Sequence, residues 1–125
     1  MIVLDSSALL AVLLEEPGAD RVVAAFAESV LSAASLTEVL TKAEQRGLES
    51  EKAYQVIADF GIGIMPVETL HARIAAKVSL APRQLDLSLG DRLCIALAIA
   101  LQSELLTSDR GIAKFDAGIP ITLFR

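Results

Sequence analysis

A chain of 125 residues that is 54% hydrophobic, with a mean hydropathy of +0.56, has enough apolar material to bury a core and is not a disordered segment. Its net charge of −5 argues against a generally basic nucleic-acid binder, and its single cysteine excludes an internal disulfide. The apolar run Leu9–Leu14 stops at Glu15-Glu16, short of the roughly 20 residues of a membrane span, and no basic leader precedes Asp5, so one domain over 1–125 in a reducing cytoplasm is expected.

In chain order, Ile2-Val3-Leu4 reads as a short buried strand ending at Asp5. Ser6 to Leu14 reads as a helix apolar almost all round, which must be covered on more than one side, and Pro17-Gly18 breaks it. The helical spacing of apolar residues continues over 19–29, and Val30–Ala34 is a second strand. A helix follows from Ser35 to about Arg46, stopped by Gly47, and another over 50–60. Residues 64–67 form a third strand, placed at a sheet edge by Pro66. Helices are predicted over 69–80 and 88–101, with a loop over 83–88 between them. Residues 105–107 and 119–124 are the last strands, flanking a short turn or helix at 109–115. Strands alternating with helices imply a three-layer α/β/α sandwich with a mostly parallel sheet, whose ligands bind at the carboxyl ends of the strands.

Four acids mark that rim. Asp5 and Asp109 end strands, while Glu38 and Asp91 fall in the first turns of helices, so all four are expected within a few ångströms of one another. Such a nest of carboxylates is neutralised by a divalent cation, the chemistry of metal-dependent phosphodiester cleavage. Each acid also has a plain structural role to weigh against this. Ser35-x-x-Glu38 and Ser88-x-x-Asp91 are capping-box patterns, and Asp5 and Asp109 can cap the helices that follow them. Asp5 fits that role least, because a carboxylate closing a buried strand needs partners and no basic residue is near it in sequence. Ser6, Thr107 and Ser108 supply hydroxyls able to orient the acids. Glu15, Glu16, Asp20, Glu28, Glu44, Glu49, Glu51 and Asp59 read as exposed, whereas Asp86 and Asp116 stay ambiguous.

The charge is unevenly spread. Residues 1–68 carry four basic and eleven acidic side chains, and residues 69–125 carry seven and five. The second half therefore offers local positive surface through Arg73, Lys77, Arg83, Arg92, Arg110 and Lys114. Of these, Arg92, Arg110 and Lys114 lie beside the acids and can hold flanking phosphates, with ordinary solvated charge as the alternative. His71 is the only histidine and Cys94 sits in an apolar run, so a His-dependent triad or a zinc cluster is not expected, and no glycine-rich phosphate loop follows a strand.

Val3-Leu4-Asp5-Ser6-Ser7-Ala8-Leu9, Ser35-Leu36-Thr37-Glu38-Val39, Ser88-Leu89-Gly90-Asp91-Arg92-Leu93 and Leu106-Thr107-Ser108-Asp109-Arg110 occur in this order over nearly the whole chain. In these segments the chain resembles the PIN-domain ribonucleases, and especially the VapC-like toxins of type II toxin–antitoxin pairs. The resemblance implies Asp5, Glu38, Asp91 and Asp109 as ligands of Mg²⁺ or Mn²⁺, Thr107 as a supporting hydroxyl and Ser6 as a helper. It further implies a homodimer, inhibition by a small antitoxin, and cleavage of a structured RNA.

The combined expectation is an endoribonuclease in which a metal-activated water cleaves the RNA phosphodiester and no protein nucleophile is used. One rival is a phosphatase of the haloacid dehalogenase type, which also begins with a strand ending in Asp but needs a second acid where this chain has Ser7. The other is a non-catalytic binding module on the same scaffold. The first helix, with Val22, Val23 and Phe26, is expected to line a groove for an antitoxin segment or a dimer contact, unless the protein's own helices bury it.

Overall fold

The computed structural model describes all 125 residues. Five strands, β1 (Ile2–Leu4), β2 (Ser29–Ser32), β3 (Gly63–Met65), β4 (Glu104–Thr107) and β5 (Ile121–Leu123), form one sheet in the order β3-β2-β1-β4-β5. All four pairings are parallel, with Leu4 opposite Leu31 on one side and Leu106 on the other. As its proline implied, β3 is an edge strand.

Seven helices connect the strands: α1 (Ser6–Leu13), α2 (Ala19–Ala25), α3 (Ala33–Gln45), α4 (Ser50–Asp59), α5 (Thr69–Val78), α6 (Leu89–Leu101) and α7 (Arg110–Ala113). Successive strand residues point to opposite faces, so each strand feeds two cores. Leu4, Leu31 and Leu106 pack with Leu9 of α1, Val22 of α2, Val39 of α3 and Ile57 of α4. Val3 and Leu105 pack on the other side with Val78 of α5, Cys94, Ile95 and Leu97 of α6, and Ile112 of α7. Full burial of each such side chain contributes about 1.5–3 kcal/mol, which explains why strands of only three or four residues hold this sheet.

Three details differ from the sequence expectation. First, α3 begins at Ala33 rather than Ser35, because the Ser32 hydroxyl accepts the Ala34 N–H at 3.1 Å and is the cap. Glu38 therefore lies in the second turn, and Ser35-x-x-Glu38 is not a capping box. Second, a 3₁₀ turn over Phe26–Glu28 follows α2, and another over Arg83–Leu85 lies in the predicted loop. Third, α1 is not an open apolar face: Ala8, Leu9, Leu10 and Ala11 are buried by the sheet, α2 and α3, Val22 is fully buried, and Phe26 stacks on Phe60. The chain covers the inner side of α1 itself, while Val12, Leu13, Leu14 and Phe26 stay half-buried and Val23 exposed.

The strand order also fixes where a ligand site belongs. From β1 the chain proceeds outward to β2 and β3, then crosses back to β4 on the opposite side of β1 and on to β5. The reversal lies between β1 and β4, and the crevice beyond their carboxyl ends is where open parallel sheets hold ligands.

Candidate functional site

A cleft of about 490 Å³ opens at that crevice, and Asp5, Glu38, Asp91 and Asp109 all line it. Asp5 arrives from β1, whose register is held by the Asp5 N–H donating to the Leu106 carbonyl at 3.0 Å. Asp109 follows β4 by two residues. Glu38 projects from α3 against Gly90 in the first turn of α6, and a methyl at position 90 would stand only 2.7 Å from the Glu38 Cδ. Glycine at 90 thus makes room for that carboxylate beside Asp91.

The capping roles divide the four acids. Asp5 occupies the cap position of α1 yet makes no side-chain capping bond. Its Oδ2 instead accepts the hydroxyls of Ser7 and Thr107, both at 2.8 Å. The side chain is 2% exposed and Oδ1 has no partner. Glu38 Oε1 is likewise buried and unpartnered. Asp91 completes a capping box, accepting the Ser88 N–H at 2.9 Å on Oδ2, while the Ser88 hydroxyl accepts the Asp91 N–H at 3.1 Å. Asp109 Oδ1 caps α7 through the N–H groups of Gly111 at 2.7 Å and Ile112 at 3.0 Å. In both capping acids the bonds described use one carboxylate oxygen, so capping and a second role are compatible.

Thr107 takes its expected place: it donates to Asp5 and accepts the Asp109 N–H at 2.9 Å, tying two acids together. The other supporting hydroxyl is Ser7 rather than Ser6. Ser7 donates to Asp5, accepts the Ser108 N–H at 3.0 Å and lies 3.4 Å from the Thr107 hydroxyl. Ser6 is buried at the cleft wall without a bond to Asp5, because the first helical turn carries residue 7, not 6, back over the strand end. Ser108 contributes its backbone N–H.

Electrostatics couple the acids. Burial raises the Glu38 pKa above its ordinary value, the charges of Asp5 and Asp91 raise it further, and Lys42 opposes them. Burial also raises Asp91, helped by Asp5 and Asp109 against the lowering hydrogen bonds from Ser88. Behind them the Cys94 thiol is fully buried, its pKa pushed well up first by burial and then by Asp5, and it donates to the Leu4 carbonyl at 3.8 Å. It is a core side chain, as its apolar neighbours implied.

No three of the His, Cys, Asp and Glu side chains are close-set enough to form a ready-made metal cage, so the expected few-ångström cluster is a shared cleft instead. The two unpartnered buried oxygens weigh more for the chemistry of the site. An ionised carboxylate buried without a partner is strongly disfavoured, and a divalent cation is the group these oxygen donors fit.

The remaining acids and cations are placed unevenly. Asp86 lines the cleft; Asp116 does not, and its Oδ1 accepts the Gly118 N–H at 3.3 Å. Glu16, expected on an exposed face, is half-buried at the cleft and pairs with Arg125 at 3.6 Å. Arg92, Arg110 and Lys114 do not line the cleft. Arg92 donates to the Ala75 carbonyl at 3.1 Å and faces a neighbouring pocket with Arg83, while Lys114 lines a third pocket. The cations at the cleft are Lys42, Arg46 and Arg125. The signal for the first two was in the sequence: they stand four and eight residues beyond Glu38, on one helical face.

The family model described as PIN domain matches residues 2–118. No curated protein matches the chain in sequence. Among solved structures, a VapBC2 from Rickettsia felis bound to a DNA fragment from its promoter is similar with a TM-score of 0.78 at 12% identity, over 98% of each chain. A DNA-bound VapBC from Salmonella typhimurium gives 0.76 at 17% identity, covering 99% of this chain and 98% of that one. A toxin–antitoxin complex from Klebsiella pneumoniae gives 0.73 at 21% identity, covering 100% and 98%. At these identities the likeness is one of fold.

Proposed function

The chain belongs to the PIN-domain family, and on that premise we propose that it is a metal-dependent endoribonuclease whose site is the cleft of Asp5, Glu38, Asp91 and Asp109. The observation that carries this reading is the pair of buried carboxylate oxygens without partners, Asp5 Oδ1 and Glu38 Oε1. These two, with the remaining oxygens of Asp91 and Asp109, would hold Mg²⁺ or Mn²⁺. When bound, the cation supplies an acidified water and offsets the charge that builds on the scissile phosphate.

The protein's own residues do the positioning. Ser7 and Thr107 fix Oδ2 of Asp5, which leaves Oδ1 without a protein partner at a residue that lines the cleft. Thr107 couples this placement to Asp109 through its N–H. The capping box locks the Asp91 carboxylate on the first turn of α6, next to Glu38. No histidine lines the cleft, and Cys94 is sealed behind it, so the reading uses no protein nucleophile. Ser7, bonded to Asp5, also stands where a haloacid dehalogenase-type phosphatase needs its second acid.

The similarity in fold to proteins from toxin–antitoxin complexes supports the finer reading of a VapC-like toxin held by a small antitoxin, to which the reading adds a homodimer in the cytoplasm. No helix is long and apolar enough to cross a membrane.

Incubating the purified protein with total RNA tests the activity. Cleavage is expected with Mg²⁺ or Mn²⁺ and not with EDTA, and Asp5→Asn or Asp91→Asn should lower it by about a hundredfold or more with the fold kept. Asp59→Asn, on the exposed end of α4, should cut like the wild type. EDTA-resistant cleavage, or full activity in Asp5→Asn, contradicts the proposal.

A further inference from the structure

The cleft carries six carboxylates, yet two cations on its α3 wall pair with none of them. Lys42 and Arg46 both line the cleft and are exposed, and the chain's only ion pairs are Lys52–Glu49 and Arg125–Glu16. With helical rise, Lys42 stands roughly 6 Å beyond Glu38 along α3 and Arg46, the residue that closes the helix, roughly 12 Å, and all three line the cleft. Cations free in so acidic a cleft are available for an anion that the carboxylates alone would repel. Arg125, the third cation there, is taken by Glu16 and by the Pro17 carbonyl at 3.1 Å.

From this geometry we infer that Lys42 and Arg46 form a phosphate-binding rail that holds RNA on the α3 side of the acid cleft, leading the scissile phosphate to Glu38 and Asp5. The inference rests on reading the cleft as a ribonuclease site. It assigns the acids to the reacting phosphate, and Lys42 in the last turn of α3 and Arg46 at its C-terminal cap to flanking ones. The rail lies in the acidic half of the chain, so net charge conceals it.

The test compares wild type, Lys42→Gln/Arg46→Gln and Lys42→Arg/Arg46→Lys. Binding of a fluorescent single-stranded RNA with cleavage-resistant phosphorothioate linkages is measured in Mg²⁺ over a range of salt, beside cleavage kinetics on ordinary RNA. Loss of two phosphate contacts should weaken binding about tenfold or more near 0.1 M salt and reduce the log–log salt slope by about 1.4. KM should rise far more than kcat falls, and the charge-conserving variant should restore binding. Wild-type affinity and slope in the Gln variant, while wild type still cuts RNA, overturn the rail and leave the nuclease reading intact. Failure of wild type to bind or cut RNA overturns both. Unchanged RNA binding in the Gln variant, together with lost binding of polyglutamate, would overturn the RNA rail in favour of an acidic protein segment.

Discussion

Asp5 is nearly inaccessible, bonded through one oxygen to two hydroxyls and bare at the other. A carboxylate placed for helix capping would have used the backbone N–H groups of α1, and it does not. The need for partners foreseen for a buried strand-ending Asp is therefore met at one oxygen only, by two hydroxyls, whereas Asp91 and Asp109 do cap as their sequence patterns indicate. What could not be read from sequence was which serine bonds Asp5: the more buried Ser6 does not, and Ser7 does. Gly90 is a second residue whose role appears only in three dimensions. A methyl there meets the end of the flexible Glu38 side chain, which can swing away, and alanine suits a helix better than glycine by roughly 0.5–1 kcal/mol. Gly90→Ala should therefore keep or slightly raise Tm in EDTA while RNA cleavage falls at least about tenfold, and adding Glu38→Asp should recover part of it. Unchanged cleavage in Gly90→Ala would show that Glu38 needs no such room.

Among the elements, α3 and α6 bring acids from distant parts of the sequence face to face. The sequence pattern located both helices and put Asp91 in its first turn, but it started α3 two residues late, because Ser32, at the end of β2, is the cap in place of Ser35. The contact between α3 and the α6 N-terminus buries Glu38 beside Asp5 and Asp91, which raises its pKa. Protonated Glu38 is then favoured in the folded state. Its stabilising contribution is complete below the ordinary value of about 4.5 and is lost as pH rises through the elevated folded value. In EDTA, Glu38→Gln should melt above the wild type at pH 7, and this difference should shrink as the pH falls toward 4.5. Melting curves that diverge on acidification would contradict the charge repulsion assigned to the α3–α6 contact.

For the molecule as a whole, the parallel order of the sheet and the reversal between β1 and β4 place the strand-end acids at one rim. Alternation of strands and helices was enough to foresee this, because two-faced apolar strands such as Val3-Leu4 and Leu105-Leu106 must be covered on both sides. The distribution of basic residues was less legible. Counting charge by halves pointed to the C-terminal side, whereas two of the three cleft cations come from α3. The apolar first helix was legible only in part: most of its hydrophobicity goes to the sheet, α2 and α3, and its C-terminal leucines stay half-buried.

The central claim is that this rim holds a divalent cation through the carboxylates whose oxygens the fold leaves bare. Crystals grown with Mn²⁺ and measured for anomalous scattering test it directly. The account predicts a peak in the cleft within coordination distance of Asp5 Oδ1 and Glu38 Oε1, and none there in Asp5→Asn crystals. A cleft with no peak at saturating Mn²⁺, or a peak that contacts neither Asp5 nor Glu38, would contradict it.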